Sequence, residues 1–235
     1  MAIGATLFDS YADTGTSTDS FSTSNSKSPV SNRLYHIAVV LTSGSGAAWP
    51  TVTLSGWGIT WAQVSNVQRT TVEWLGVFEG LHASPSTGVL TVTFTGKAVN
   101  GKVVAATEVT GIDTADPIVG TPGTGGISTG TTRTVSLSSY ADTDNAAIAA
   151  FFVGIAAATD VTPEANWTEI ADASYDSPST HCQVQFRADA GAIPDTSCTA
   201  SWDGSNVNCG GIIVELSAAA VAGVTAPKFA MLGVG

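Results

Sequence analysis

Glu73 and Glu79 stand six residues apart in a segment that reads as a strand, and any acid–base chemistry would have to begin with them. Glycosidic cleavage sets a general acid against a second carboxylate across one sugar. Side chains six apart on a strand share a face only while the pleat stays regular, and neither acid has an aligned acid in the second half of the chain. A hydrolase or polysaccharide lyase would need the two to converge in a cleft. The other reactive groups are scattered. His36, His82 and His181 have no second His or Cys at ligand spacing, which is not the pattern of a zinc site. Gly96-Lys97-Ala98-Val99-Asn100-Gly101-Lys102 matches the first part of a phosphate loop. Val103 stands where Ser or Thr must hold magnesium, and a strand follows instead of a helix, so this run is expected to be a hairpin turn. Asp142-Thr143-Asp144-Asn145 gathers oxygens of the kind calcium takes; the preferred reading is a turn in which Asp bonds its own backbone. Trp49 and Trp57, in a Pro/Gly-rich stretch, are the candidate exposed rings for stacking on a sugar. No catalytic residue, metal or cofactor is expected.

The elements that would position these residues occur twice. Trp61-Ala62-Gln63-Val64 returns as Trp167-Thr168-Glu169-Ile170, Thr91-Val92-Thr93-Phe94 as Thr199-Ala200-Ser201-Trp202, and Thr107 to Gly111 as Val214 to Ala218. These echoes lie 106, 108 and 107 residues apart, the spacing of two copies of one strand unit. Ser10-Tyr11-Ala12-Asp13-Thr14 and Ser139-Tyr140-Ala141-Asp142-Thr143 form a fourth echo at 129, read as an insertion in the first copy. The duplication marks Trp61 with Trp167, and Phe94 with Trp202, as paired core positions. It also pairs Glu108 with Glu215, on an outward parity that reads as solvated or interface acids.

Leu90, Val92 and Phe94 alternate with threonines, and Cys198, Ala200 and Trp202 alternate with Ser and Thr. Cys182, Val184 and Phe186 alternate with His181, Gln183, Gln185 and Arg187. Such period-two runs predict strands with one face in the core and the other in water. Cys182 and Cys198 fall on the apolar parity, so the three cysteines (with Cys209) read as small core residues. His36 to Leu41 and Ala147 to Ile155 are apolar throughout and predict central strands whose outer faces something covers. Residues 13–32 are Ser/Thr-rich and predict a long surface loop. The expected fold is all-β: a jelly-roll-like, two-sheet antiparallel β-sandwich of residues 1–217, built from two homologous strand units (about 34–111 and 140–217) joined by 112–131. Residues 218–235 form an apolar C-terminal arm, with Phe229, Met231, Leu232 and Val234 as its candidate interface residues.

Charged residues are 11% of the 235, and the net charge is −11 with no Lys/Arg cluster. That balance argues against nucleic acid, which needs a basic footprint, and against an anionic membrane surface. The N-terminus lacks the basic and apolar regions of a secretory signal, so synthesis and assembly in a host cytoplasm are expected.

The order of features resembles a broad group of phage-encoded and bacterial β-sandwich proteins. An apolar strand (Leu34 to Leu41) is followed by a Gly/Pro-rich loop and a Trp-containing strand (Ile59 to Val64). An aromatic strand (Val72 to Phe78), a Thr-Val-Thr strand (Leu90 to Phe94) and the turn Glu108-Val109-Thr110-Gly111-Ile112-Asp113 complete the set. The resemblance spans roughly residues 34–217 and carries no catalytic residues. It implies a jelly-roll-like virion structural protein. The expected function is therefore non-enzymatic: a head decoration protein or a tail or fibre component of a phage particle, a homo-oligomer whose partners are other virion proteins. The alternative is a secreted carbohydrate-binding or adhesive module with glycan as its partner.

Overall fold

The computed structural model describes residues 2–220 except 14, 45, 157, 158, 190, 191, 193, 194 and 205. Phe229, Met231, Leu232 and Val234, the candidate interface residues of the C-terminal arm, lie outside the described residues. The first copy contributes β1 (Gly4–Asp13), β2 (Ser20–Ser22), β3 (Leu34–Thr42), β4 (Thr53–Gly56), β5 (Ala62–Arg69), β6 (Glu73–Leu81), β7 (Leu90–Thr93) and β8 (Gly101–Thr110). The second contributes β9 (Ile118–Gly130), β10 (Thr132–Ser136), β11 (Ala146–Val153), β12 (Val161–Pro163), β13 (Thr168–Asp176), β14 (Ser179–Arg187), β15 (Ser197–Trp202) and β16 (Val207–Leu216). The chain is all-β and antiparallel. Its sheets run β1-β8-β3-β6-β5 with β2-β7-β4, then β9-β16-β11-β14-β13 with β10-β15-β12. Adding eight to each strand number turns the first copy into the second. Nesting of the first strand with the eighth, the third with the sixth and the second with the seventh is that of a jelly roll, with the fifth strand at the edge of the larger sheet.

The two five-stranded sheets face each other across a shared core. Leu34, Ala38, Val40 and Leu75 from one side meet Ile148, Phe152, Val184 and Ile212 from the other. Each large sheet also carries its own three-stranded sheet on the opposite face. Tyr35, Val39 and Trp74 pack there with Val92 and Phe94 in the first copy, and Ala149 and Phe151 with Val135 and Trp202 in the second. The result is four layers and three cores. Central strands β3 and β11 are buried at every position because both faces are covered, which is why period two fails there. β1 lies against β13 and β5 against β9. Exchanging the copies swaps these two contacts, the mark of an internal two-fold.

Several sequence expectations are corrected. The joint is shorter than 112–131, because Ile118–Gly130 is already the first strand of the second copy. The Ser-Tyr-Ala-Asp echo does not mark equivalent positions: Tyr11 lies within β1, whereas Tyr140 follows β10. Residues 13–32 are not only loop, since Ser20–Ser22 pairs with β7 and seats Phe21 in the core. The polar face of β14 does not meet water. His181, Gln183, Gln185 and Arg187 are buried under the three-stranded sheet, where Gln183 donates to the Val161 carbonyl of β12 and to Glu169 Oε2 (2.9 Å), and Gln185 donates to Gln183 Oε1 (2.8 Å).

Glu108 and Glu215 are likewise buried rather than solvated. Glu108 accepts from Arg33 and from Tyr35 Oη (2.8 Å). Glu215 accepts from Asn145 Nδ2 and the Ala141 N–H, both at 2.7 Å. Arg33 and Asn145 each precede the first residue of a central strand. The repeated acid therefore anchors the chain where it enters β3 and β11.

One ionisable pair sits inside the shared core. His36 Nδ1 lies 2.5 Å from Glu79 Oε1, with His36 0% and Glu79 4% exposed. The pairing registers place Ile148 and Phe186 at the equivalent positions of the second copy. Burial raises the Glu79 pKa above its usual 4.5, and His36 only partly offsets this. A carboxyl with a raised folded pKa contributes stability that is fully present below its unfolded value and lost as pH rises through the folded one. Urea unfolding should therefore show wild type losing more stability than Glu79→Gln as pH rises from 5 to 8. At pH 7, His36→Ile alone should cost about 3–5 kcal/mol by stranding the carboxylate. His36→Ile with Glu79→Met, which copies the apolar chemistry of the second unit, should restore most of it; a double variant as unstable as the single would contradict this.

Candidate functional site

At one end of the shared core the two copies part around a cleft of about 420 Å³ lined by Thr42, Glu73 and Asn100 from the first copy and Gly154, Pro178 and Asn208 from the second. Its position follows from the repeat. Leu34 pairs with Val109 and Ala146 with Leu216, so Thr42 at the end of β3 is equivalent to Gly154 just after β11. Val72 and Ser179 are equivalent in the same way, and both line the cleft. The internal two-fold runs out of the core through this opening.

Local sequence builds the first-copy wall. The apolar run of β3 ends in Thr42 and Ser43, and the Ser43 N–H donates to Val72 O at 2.8 Å. Thr42 lies directly opposite both Glu73 and Gly101 in the large sheet, which brings the first two side chains within about 5 Å of each other at Cβ. The Asn100 N–H donates to Thr42 O at 3.0 Å. Behind this wall Lys97 is 1% exposed. Its Nζ donates to Ala47 O (2.5 Å) and Thr71 O (2.8 Å) and lies 4.4 Å from the Trp49 ring centroid. Burial lowers its pKa. The lysine of the phosphate-loop-like run is thus a clamp on two loops, in the turn between β7 and β8.

Glu73 is the carboxylate that lines the cleft. Asn208 Nδ2 donates to its Oε1 at 2.6 Å, and Arg69 Nη1 approaches the same oxygen at 3.6 Å. Glu73 Oε2, Thr42 Oγ1 and Asn100 Oδ1 are buried and make no hydrogen bond among the described residues. A buried unsatisfied group costs about 1–3 kcal/mol, more when charged. All three belong to residues that line the cleft. Sequence reasoning singled out Glu73 but missed Thr42, the polar last residue of β3, and Asn100, the polar residue just before β8.

The other candidates do not gather into a site. Glu73 and Glu79 share a face of β6 but sit at its two ends, roughly 20 Å apart at about 3.3 Å per residue. They do not converge. Asp142 Oδ1 accepts from the Asp144 N–H at 3.0 Å, while Asn145 is held by Glu215, so this corner has the geometry of an Asx turn. Cys182, Cys198 and Cys209 are buried free thiols whose pKa values burial raises. Gly126-Ile127-Ser128-Thr129-Gly130 has the letter pattern of a serine nucleophile elbow, but it lies in the extended strand β9, where Ser128 Oγ accepts from Arg133.

Trp57 corrects the stacking expectation. It is 1% exposed, with its ring edge-on to Phe8 and Tyr35 and its indole N–H donating to Gly88 O at 3.0 Å. Gly56, Trp57 and Gly58 all have positive φ (113°, 57° and 64°). Two glycines make that tight turn possible, and the turn swings the tryptophan inward. Trp49 is half-buried against Trp74. Comparison with family models, curated proteins and solved structures finds no match to this chain.

Trp57→Ala should destabilise the protein by about 3–5 kcal/mol, the cost of emptying a buried aromatic site. Thermal or urea unfolding checks this; a change under 1 kcal/mol would show the ring to be dispensable to the core.

Proposed function

We propose that this protein is a non-enzymatic structural component of a virus particle, a phage head decoration protein or a tail or fibre component, acting through contacts between subunits. The observation that carries the reading is the free edge of β9. This strand, Ile118–Gly130, pairs with β16 on one side and ends the sheet on the other. It is 13 residues long and contains no charged residue. The open N–H and C=O groups of an edge strand template pairing with another chain; Pro122, two register shifts against β16 and Arg133, which donates to Gly126 O, cover part of this edge and leave the rest open. Here it stands on a block of four packed layers, a rigid scaffold suited to presenting a strand for edge-to-edge addition. The apolar residues of the C-terminal arm support the same reading at the level of sequence.

Mass spectrometry of purified particles tests the location, and native sizing tests the assembly. The protein is expected in the particle and above monomer mass in solution. Thr121→Lys with Thr124→Lys, two exposed β9 positions, should abolish assembly while leaving the melting temperature within about 2 °C of wild type. A chain that stays monomeric at high concentration and is absent from every particle would overturn the proposal.

A further inference from the structure

We propose that a groove on the outer face of β5 binds a neutral oligosaccharide. The groove holds about 280 Å³ and is lined by Gln63, Asn66 and Gln68 of that strand, with Trp49 and Trp74 beside them. Gln63 lies opposite Phe78, Asn66 opposite Gly76 and Gln68 opposite Trp74, so the three carboxamides stand in one row on the outer face. All three residues are exposed and make no side-chain hydrogen bond among the described residues.

The internal repeat supplies the control. In the second copy the equivalent pairs are Glu169 with Gln185, Asp172 with Gln183 and Ser174 with His181. Both edge strands bulge at the same place, between Gln63 and Ser65 and between Glu169 and Ala171. There the polar row serves the fold: Glu169 Oε2 accepts from Gln183 at 2.9 Å, and Asp172 Oδ1 lies 2.8 Å from His181 Nδ1. In the first copy Phe78 and Gly76 stand where those glutamines stand and offer no polar side chain. The row is polar in both copies, but only the second copy uses it internally.

The lining selects the ligand. A carboxamide both donates and accepts hydrogen bonds, as a sugar hydroxyl does. Among the described residues, none that lines the groove is charged, so a phosphate or carboxylate gains nothing there, and the net charge of −11 repels one. Trp49 offers an indole to the C–H groups of a sugar ring. It is held in place by Lys97, whose Nζ lies 4.4 Å from its ring centroid, and by the Trp74 ring at 6.3 Å. A side chain fixed beforehand costs less to order on binding. From Gln63 to Gln68 the row covers roughly 15 Å of strand, room for several sugar units rather than one.

The test is an array of neutral and acidic glycans probed with the full chain, followed by calorimetric titration with the neutral glycan that binds most strongly on the array. Wild type should bind neutral glycans. Asn66→Ala and Gln68→Ala, at exposed positions, should each weaken the titrated affinity about 3–10-fold, the worth of one hydrogen bond. The double variant should lose binding while its melting temperature stays within about 2 °C of wild type. Thr121→Lys with Thr124→Lys, on β9, should keep the wild-type affinity, which separates glycan binding from assembly. No neutral glycan bound, binding confined to acidic glycans, unchanged affinity in the double variant, or lost affinity in the β9 variant would each overturn the proposal.

Discussion

Everything in this protein depends on two five-stranded sheets burying their faces against each other. Each sheet then has no solvated side, because its other face is already covered by a three-stranded sheet. Every position of β3 and β11 is buried, and all but Tyr35, His36 and Thr42 are apolar. The backbone polar groups of these strands are consumed by neighbours on both sides, as burial requires. The shared core also explains why the chain ends of the two copies interlock. Asp113 N–H donates to Ser217 O, and Ser217 N–H to Pro117 O, so the short joint and the last strand of the second copy close one corner.

Within that constraint the copies have diverged. The outer face of β6 reads Trp74-Gly76-Phe78-Gly80; the equivalent face of β14 reads His181-Gln183-Gln185-Arg187. In the first copy the Trp74 ring folds over Gly76, and Ile59 and Trp61 fill the space above Gly80, where a Cβ would collide with them. The second copy fills the same layer with a polar ladder. His181 is 2.8 Å from Asp172 Oδ1 and 3.1 Å from Ala156 O, and although burial opposes its charge these acceptors hold its pKa above the usual 6.5. Gln185 Oε1 accepts from the Glu164 N–H at 3.0 Å. Networks of this kind hold only when almost every member is bonded, whereas the aromatic solution tolerates looser fits. The two half-proteins reach the same topology by different packing chemistry.

Legibility in the sequence follows the same division. Parity located β7, β14 and β15, and the spacing of 106–108 residues matched Phe94 with Trp202, which lie in the two corresponding outer cores. Parity separates the faces of a strand but does not say what covers them. Gln183 and Gln185 therefore read as water-facing when they lie under a second sheet, and Glu108 read as solvated when it anchors Arg33. Trp57 was misjudged for a backbone reason: three successive positive φ values turn the chain inward, and a Gly-Trp-Gly string alone does not announce that. Thr42 and Asn100 were invisible because their meaning comes from the second copy, which closes a cleft over strand ends that would otherwise meet solvent.

The axis gives the duplication a physical rationale. In a dimer of identical units every group near a two-fold axis faces itself, so a Glu73 at the cleft would meet a second Glu73. Two carboxylates at close range cannot both stay ionised without raising a pKa or capturing a cation of matching charge. Fusing the copies removes that obligation. The position equivalent to Glu73 is Thr180, fully buried, with its hydroxyl donating to Pro178 O at 3.0 Å, and the position equivalent to Thr42 is Gly154. The first copy places Thr42 and Glu73 at this end of the core and the second places Gly154 and Thr180, an asymmetry open to a single chain but closed to a symmetric pair.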